Sequence, residues 1–132
     1  MPKENLIVDE TYAFALRITA LCKVIRERKE FELASQLWRS GTSIGANVEE
    51  AQAAQSRADF LSKMSIAAKE ARETRYWIRL TRDAKIINFE SLNPLLEELE
   101  RILRILTSIV KTTSESASPS KIQNPKSKIP PP

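Results

Sequence analysis

Four stretches of this chain repeat their apolar residues at alternating steps of four and three, and a chain patterned that way has few folds open to it. From about Asp9 to Arg28 the seam is Phe14, Ile18, Leu21 and Ile25, and from about Glu32 to Ala54 it is Leu37, Gly41, Ile44, Val48 and Ala51. From about Arg57 to Lys85 it runs Phe60, Met64, Ala67, Ala71, Thr74 and Ile78. From about Leu92 to Thr112 a broader face combines Leu92, Leu96, Leu99, Leu103, Leu106 and Val110 with Leu95, Ile102 and Ile109. Each seam is one face of an amphipathic helix, and sustained 4,3 spacing belongs to near-parallel, left-handed helix packing. The connections around residues 29–31, 55–56 and 86–91 are short, so successive helices run antiparallel. The expected fold class is all-α, an antiparallel up-down-up-down four-helix bundle. Two glycines in 132 residues fit this reading, because an all-β chain needs far more turn residues.

Local signals refine the helix ends. Ser56 with Asp59 three residues on has the form of a capping box, Asp replacing the usual Glu. Pro94 fits a first helical turn with Asn93 as its cap, and a start at Ser91 is equally defensible. Gly41 and Gly45 inside the second helix each cost about 1 kcal/mol relative to Ala, so close helix approach is expected there. With Ser40, Thr42, Ser43 and Ala46 they form a small-residue zone, and Ala67, Ala68 and Ala71 of the third helix offer a flat surface to meet it.

The chain divides into a bundle over residues 1–113 and a Pro/Ser/Lys-rich segment over 114–132, which holds five of the seven prolines and reads as a flexible tail. The tail carries a net charge of +2, so the formal +4 of the whole chain leaves only about +2 on the body. No apolar run is long enough to span a bilayer and the N-terminus lacks the pattern of a signal peptide, so no membrane partner and a cytoplasmic location are expected. The single Cys22 has no internal disulfide partner and sits in an apolar helical pattern, as a buried structural thiol does.

There is no histidine, which removes Ser-His-Asp and Cys-His catalysis, the usual zinc sites and the Glu-x-x-His pairs of di-iron bundles. Glu49, Glu50, Glu70 and Glu73 have no nitrogen ligand beside them and have basic neighbours, so ion-paired carboxylates are favoured over a metal site. No catalytic residue, no metal and no cofactor is expected, and the chain is read as a non-enzyme.

The one ordered charged feature is Arg72, Arg75, Arg79 and Arg82, spaced 3, 4 and 3 and confined to about 80° of the third helix. Residues 57–85 hold eight basic and four acidic residues, so the charge of the body is concentrated here. Guanidinium forks suit phosphate, which makes these four the candidate nucleic-acid-binding residues. The competing reading is ion pairing with Glu97, Glu98 and Glu100, which antiparallel docking brings alongside, or with a neighbouring subunit. Tyr76, Trp77 and Trp38 suggest base stacking, but aromatics on bundle helices more often serve the core or a subunit interface; Tyr76 and Trp77 are read as lying on a flank away from the arginines. Trp77, Leu80 and Ala84 form a second apolar face that a monomeric bundle does not need.

The run Ser40-Gly41-Thr42-Ser43-Ile44-Gly45-Ala46-Asn47-Val48-Glu49-Glu50-Ala51, followed by Arg57-Ala58-Asp59-Phe60 and by Ile66 through Leu80 with its Glu73-Thr74-Arg75-Tyr76-Trp77 segment, resembles the bacterial four helix bundle protein family, also called the 23S rRNA-intervening sequence protein family. The resemblance covers roughly Tyr12 to Thr112. It implies a homo-oligomer, a pentamer in known members, without enzymatic activity. It also implies RNA or DNA as a partner, and a reverse transcriptase as a protein partner, as for the accessory protein of diversity-generating retroelements. The alternative is a purely structural or protein-interaction bundle. The intervening-sequence name records where some of the genes sit, inside large-subunit rRNA genes.

Overall fold

A computed structural model describes residues 3–117. They form four α-helices in sequence, α1 (Lys3–Glu27), α2 (Phe31–Gln52), α3 (Arg57–Asp83) and α4 (Phe89–Ala117), with no strand among the described residues. Each helix packs on the next and α4 returns against α1 more loosely, which closes the antiparallel bundle anticipated from the apolar spacing.

The core follows the sequence seams. Phe14, Ile18, Ile25, Leu37, Ile44, Met64, Ile78, Leu99, Ile102 and Leu106 are fully buried. Leu21, Phe60, Leu96 and Val110 are half-buried at its margins. α1 begins earlier than the spacing indicated, and its first turns add the buried Ile7 to the core. α4 begins at Phe89 rather than Ser91 or Leu92: the side chain of Asn88, not Asn93, accepts the Glu90 N–H at 2.9 Å, and Pro94 lies in the second turn. At its other end α4 runs on to Ala117, where Arg57 bonds the Ser116 hydroxyl, so residues 114–117 belong to the helix. The rest of the expected tail, 118–132, lies outside the described residues.

The α3 cap forms as anticipated. Ser56 Oγ accepts from the Asp59 N–H at 3.0 Å, and the Asp59 carboxylate reaches back to the Gln55 N–H at 3.3 Å, one residue beyond its usual target.

The glycines of α2 face α1, not the alanines of α3. A Cβ on Gly41 would lie 2.7 Å from Ile18 Cγ2, and one on Gly45 would lie 3.3 Å from the Thr11 carbonyl oxygen. The α3 side of the same zone is polar, with the buried Ser40 and Thr74 hydroxyls hydrogen-bonded at 2.9 Å. Ion pairs then tie the other seams: Lys63–Glu50 and Arg39–Glu70 between α2 and α3, Arg75–Glu100 between α3 and α4, and Arg17–Glu98 and Arg101–Glu10 between α1 and α4. Cys22 is buried and its thiol donates to the Ala34 carbonyl at 3.4 Å; burial pushes its pKa up to about 11, only partly opposed by Arg26, so it stays protonated.

Candidate nucleic-acid interface

The four arginines of the α3 stripe have separate fates. Arg75 pairs with Glu100 at 3.2 Å, both half-exposed. Arg82 turns to its own chain neighbour, Asp83, at 2.8 Å, and holds that carboxyl below the usual carboxylate range. Arg72 and Arg79 are exposed and carry no ion pair among the described residues. Of the three acids expected to consume the stripe, only Glu100 reaches it. Glu98 is buried and faces the other way, onto Arg17 of α1 at 3.2 Å, and Glu97 is exposed without an ion pair among the described residues.

Antiparallel docking sets α4 beside this stripe, and α4 adds cations that the spacing on α3 alone does not reveal. Arg104 and Lys111 are exposed and carry no ion pair among the described residues; they line one shallow surface with Glu100, Thr107 and Ser108. Their spacing of seven places them on one side of α4, a signal present in the sequence. The α3/α4 face therefore presents Arg72, Arg79, Arg104 and Lys111 to solvent, with Glu100 already neutralised by Arg75.

Across α3, on the α2 side, the polar groups are spent on one another. Glu73 takes both a short contact from Arg39 and the Trp77 indole N–H at 3.0 Å. Arg39 first, then Trp77, hold its carboxyl below the usual range. Glu70 shares Arg39 at 3.3 Å and Glu50 binds Lys63 at 2.9 Å. Three of the four carboxylates weighed as a metal set are therefore in ion pairs; Glu49 is exposed.

The aromatic residues divide as well. Trp77 is half-buried, as an interface or core residue would be. Tyr76 is 56% exposed, and its place on α3 differs from the flank read from the sequence. It follows Arg72 by four residues and precedes Arg79 by three, so helix geometry puts it within about 40° and about 60° of them, beside the stripe and not away from it. Its ring meets Trp77 edge to face, centroids 5.0 Å apart. Leu80 and Ala84 are exposed and line an open groove with Trp77, Phe31, Leu33 and Ile86, so the second apolar face is present and α2 widens it. Trp38 on α2 and Tyr12 and Leu16 on α1 are also exposed.

The described residues thus form an antiparallel four-helix bundle with a basic α3/α4 face and several uncovered apolar residues. The chain belongs to the 23S rRNA-intervening sequence protein family, whose model matches residues 3–108. It is similar to a crystal structure of a protein of unknown function from the S23 ribosomal protein family of Bacteroides thetaiotaomicron, with 45% identity and a TM-score of 0.80 over 83% of this chain and 99% of that one. No protein of curated function matches. Among the described residues no helix is long and apolar enough to cross a membrane, and no group of three or more metal-ligating side chains comes together.

Proposed function

We propose that the protein is a non-enzymatic, homo-oligomeric adaptor that binds nucleic acid through the α3/α4 face. The observation that carries this reading is the pair Arg72 and Arg79, which solvent reaches and no described carboxylate holds in an ion pair, on the same face as Arg104 and Lys111; Asp83, four residues after Arg79, feels its charge but is bonded to Arg82. Arginines held by acids have little left to give a phosphate, whereas free guanidiniums donate bidentate, charge-assisted hydrogen bonds and displace condensed counterions. Arg75 and Arg82 contribute to the local field but are engaged elsewhere. Family membership supports a pentamer, which would repeat the face five times and multiply weak single contacts through effective concentration. The resemblance to the accessory protein of diversity-generating retroelements makes a reverse transcriptase the candidate protein partner.

The test is a mobility-shift titration of the full chain with structured RNA and duplex DNA at moderate salt. Binding that weakens steeply as salt rises is the expected result. Failure to shift either nucleic acid at low salt sinks the reading. In that event the second reading takes its place, a protein-interaction bundle, which the exposed Phe31, Trp38, Leu80, Tyr12 and Leu16 favour.

A further inference from the structure

The exposed aromatic residues of this bundle are not equivalent. Tyr12 is followed at helical spacing by Ala15 and Leu16, and Trp38 is bracketed by Ala34, Ser35, Gly41 and Thr42. Phe31 has Arg28 three residues before it, but that guanidinium is bonded to the Ile86 carbonyl at 2.7 Å. Tyr76 alone among the exposed aromatics of the described residues has a free arginine on both sides, Arg72 four residues before and Arg79 three after.

Its ring is also backed by a chain of contacts. Arg39 holds Glu73, Glu73 holds the Trp77 N–H at 3.0 Å, and Trp77 meets the Tyr76 ring at an interplanar angle of 75°. An edge-to-face contact uses little of the area of the rings it joins, and more than half of Tyr76 stays open to solvent. A large aromatic packed edge-on against Trp77, open to water and bracketed by guanidiniums outside any described ion pair has the composition of a stacking platform with a backbone clamp. Arg72 and Arg79 are seven residues apart, about 10 Å along the helix axis, which is the length of about three stacked nucleotides at 3.4 Å each.

We propose that Arg72, Tyr76 and Arg79 form a subsite for single-stranded nucleic acid, the Tyr76 ring stacking one unpaired base while the two arginines bind phosphates about three nucleotides apart, one on either side of that base. This rests on the nucleic-acid reading above and deepens it. A duplex hides its base faces in its own stack, so it meets the same face through phosphates alone and gains nothing from the ring.

The experiment compares the full chain, Tyr76→Leu, Tyr76→Phe and Arg72→Gln/Arg79→Gln, each titrated with a 5′-labelled single-stranded oligonucleotide and with the duplex of the same sequence. Light scattering checks each variant's mass. Tyr76→Leu is expected to weaken single-strand binding about 5- to 150-fold, the range for removing one base–aromatic stack, with duplex binding unchanged. Tyr76→Phe keeps the ring face and should bind like the parent. If Tyr76→Leu binds the single strand as the parent does while the arginine pair loses both ligands, the subsite is wrong and the broader interface stands. Should the arginine pair bind both ligands at parental affinity, subsite and interface fall together. Equal weakening of both ligands by Tyr76→Leu, or a change in its oligomer mass, makes Tyr76 a structural or subunit-contact residue and overturns the subsite.

Discussion

Gly41 sits so close to Ile18 that a single methyl group has nowhere to go. Ile18 is fully buried and β-branched, so its Cγ atoms have no spare rotamer to retreat into. Gly41→Ala gains helix propensity of about 1 kcal/mol, but overpacking at 2.7 Å costs about 1 to 3 kcal/mol and usually wins. A net loss of about 1 kcal/mol in urea unfolding is expected, and a more stable variant would mean that α1 and α2 approach each other less closely than this. Glu73 makes a second prediction at this scale. Its pKa is depressed in the folded state by Arg39 and then Trp77, so its contribution to stability is present above the unfolded glutamate value of about 4.3 and disappears as pH falls through the lower folded value. Thermal melts of Glu73→Gln should lie below the parent at pH 7 and converge with it in acid, as pH falls through the lowered folded value. A gap that persists unchanged in acid would assign the effect to shape and not to charge.

At the scale of the helix, the same stop signal is used twice at one end of the bundle. Lys29 after α1 and Lys85 after α3 adopt positive φ, 65° and 61°. In both places the following N–H reaches back five residues, Glu30 to Ile25 at 3.3 Å and Ile86 to Thr81 at 3.1 Å. This is the Schellman geometry that glycine normally supplies, and a side chain there costs about 1 kcal/mol. Lys29→Gly and Lys85→Gly should each raise stability by up to about 1 kcal/mol in urea unfolding, and a loss at either site would contradict the assignment. These two residues also show where sequence legibility stops. The seams are readable because apolar spacing survives into burial almost residue for residue, from Phe14 to Leu106. The ends of α1 and α3 are only approximate in the sequence because lysine gives no sign that it will take a left-handed conformation. The α4 start is ambiguous because Asn88, Ser91 and Asn93 are all competent caps, and Pro94 points to the nearest one, which is not the one used.

For the whole molecule, what counts is which charges and apolar surfaces remain after the bundle closes. The arginine stripe is legible from its 3, 4, 3 spacing, but its division into free and engaged members is not. That division depends on helix rotation, which turns Glu98 towards Arg17 of α1, and on Asp83 capturing Arg82 from the next position. The flank on which Tyr76 lies is obscured for a related reason: grouping it with its chain neighbour Trp77 hides its helical neighbours Arg72 and Arg79. The open groove of Trp77, Leu80, Ala84 and Phe31 predicts self-association, and light scattering should report about five times 15.0 kDa for the pentamer expected of the family. A strictly monomeric species at micromolar concentration would contradict that expectation.

The most direct measurement of the central claim is the salt dependence of duplex DNA binding by the parent and by Arg72→Gln/Arg79→Gln, with melting temperatures recorded on the same samples. Both residues are exposed and hold no described carboxylate, so the melting temperature should stay close to the parent's, as for other surface changes within about 0.5 kcal/mol. Affinity should fall, and the slope of log K against log salt should flatten by about 0.9 for each phosphate no longer neutralised, about 1.8 for the pair. A double variant with the parent's affinity and slope, or one that binds less only because it melts early or falls apart, would contradict the claim that this face of α3 is a nucleic-acid interface.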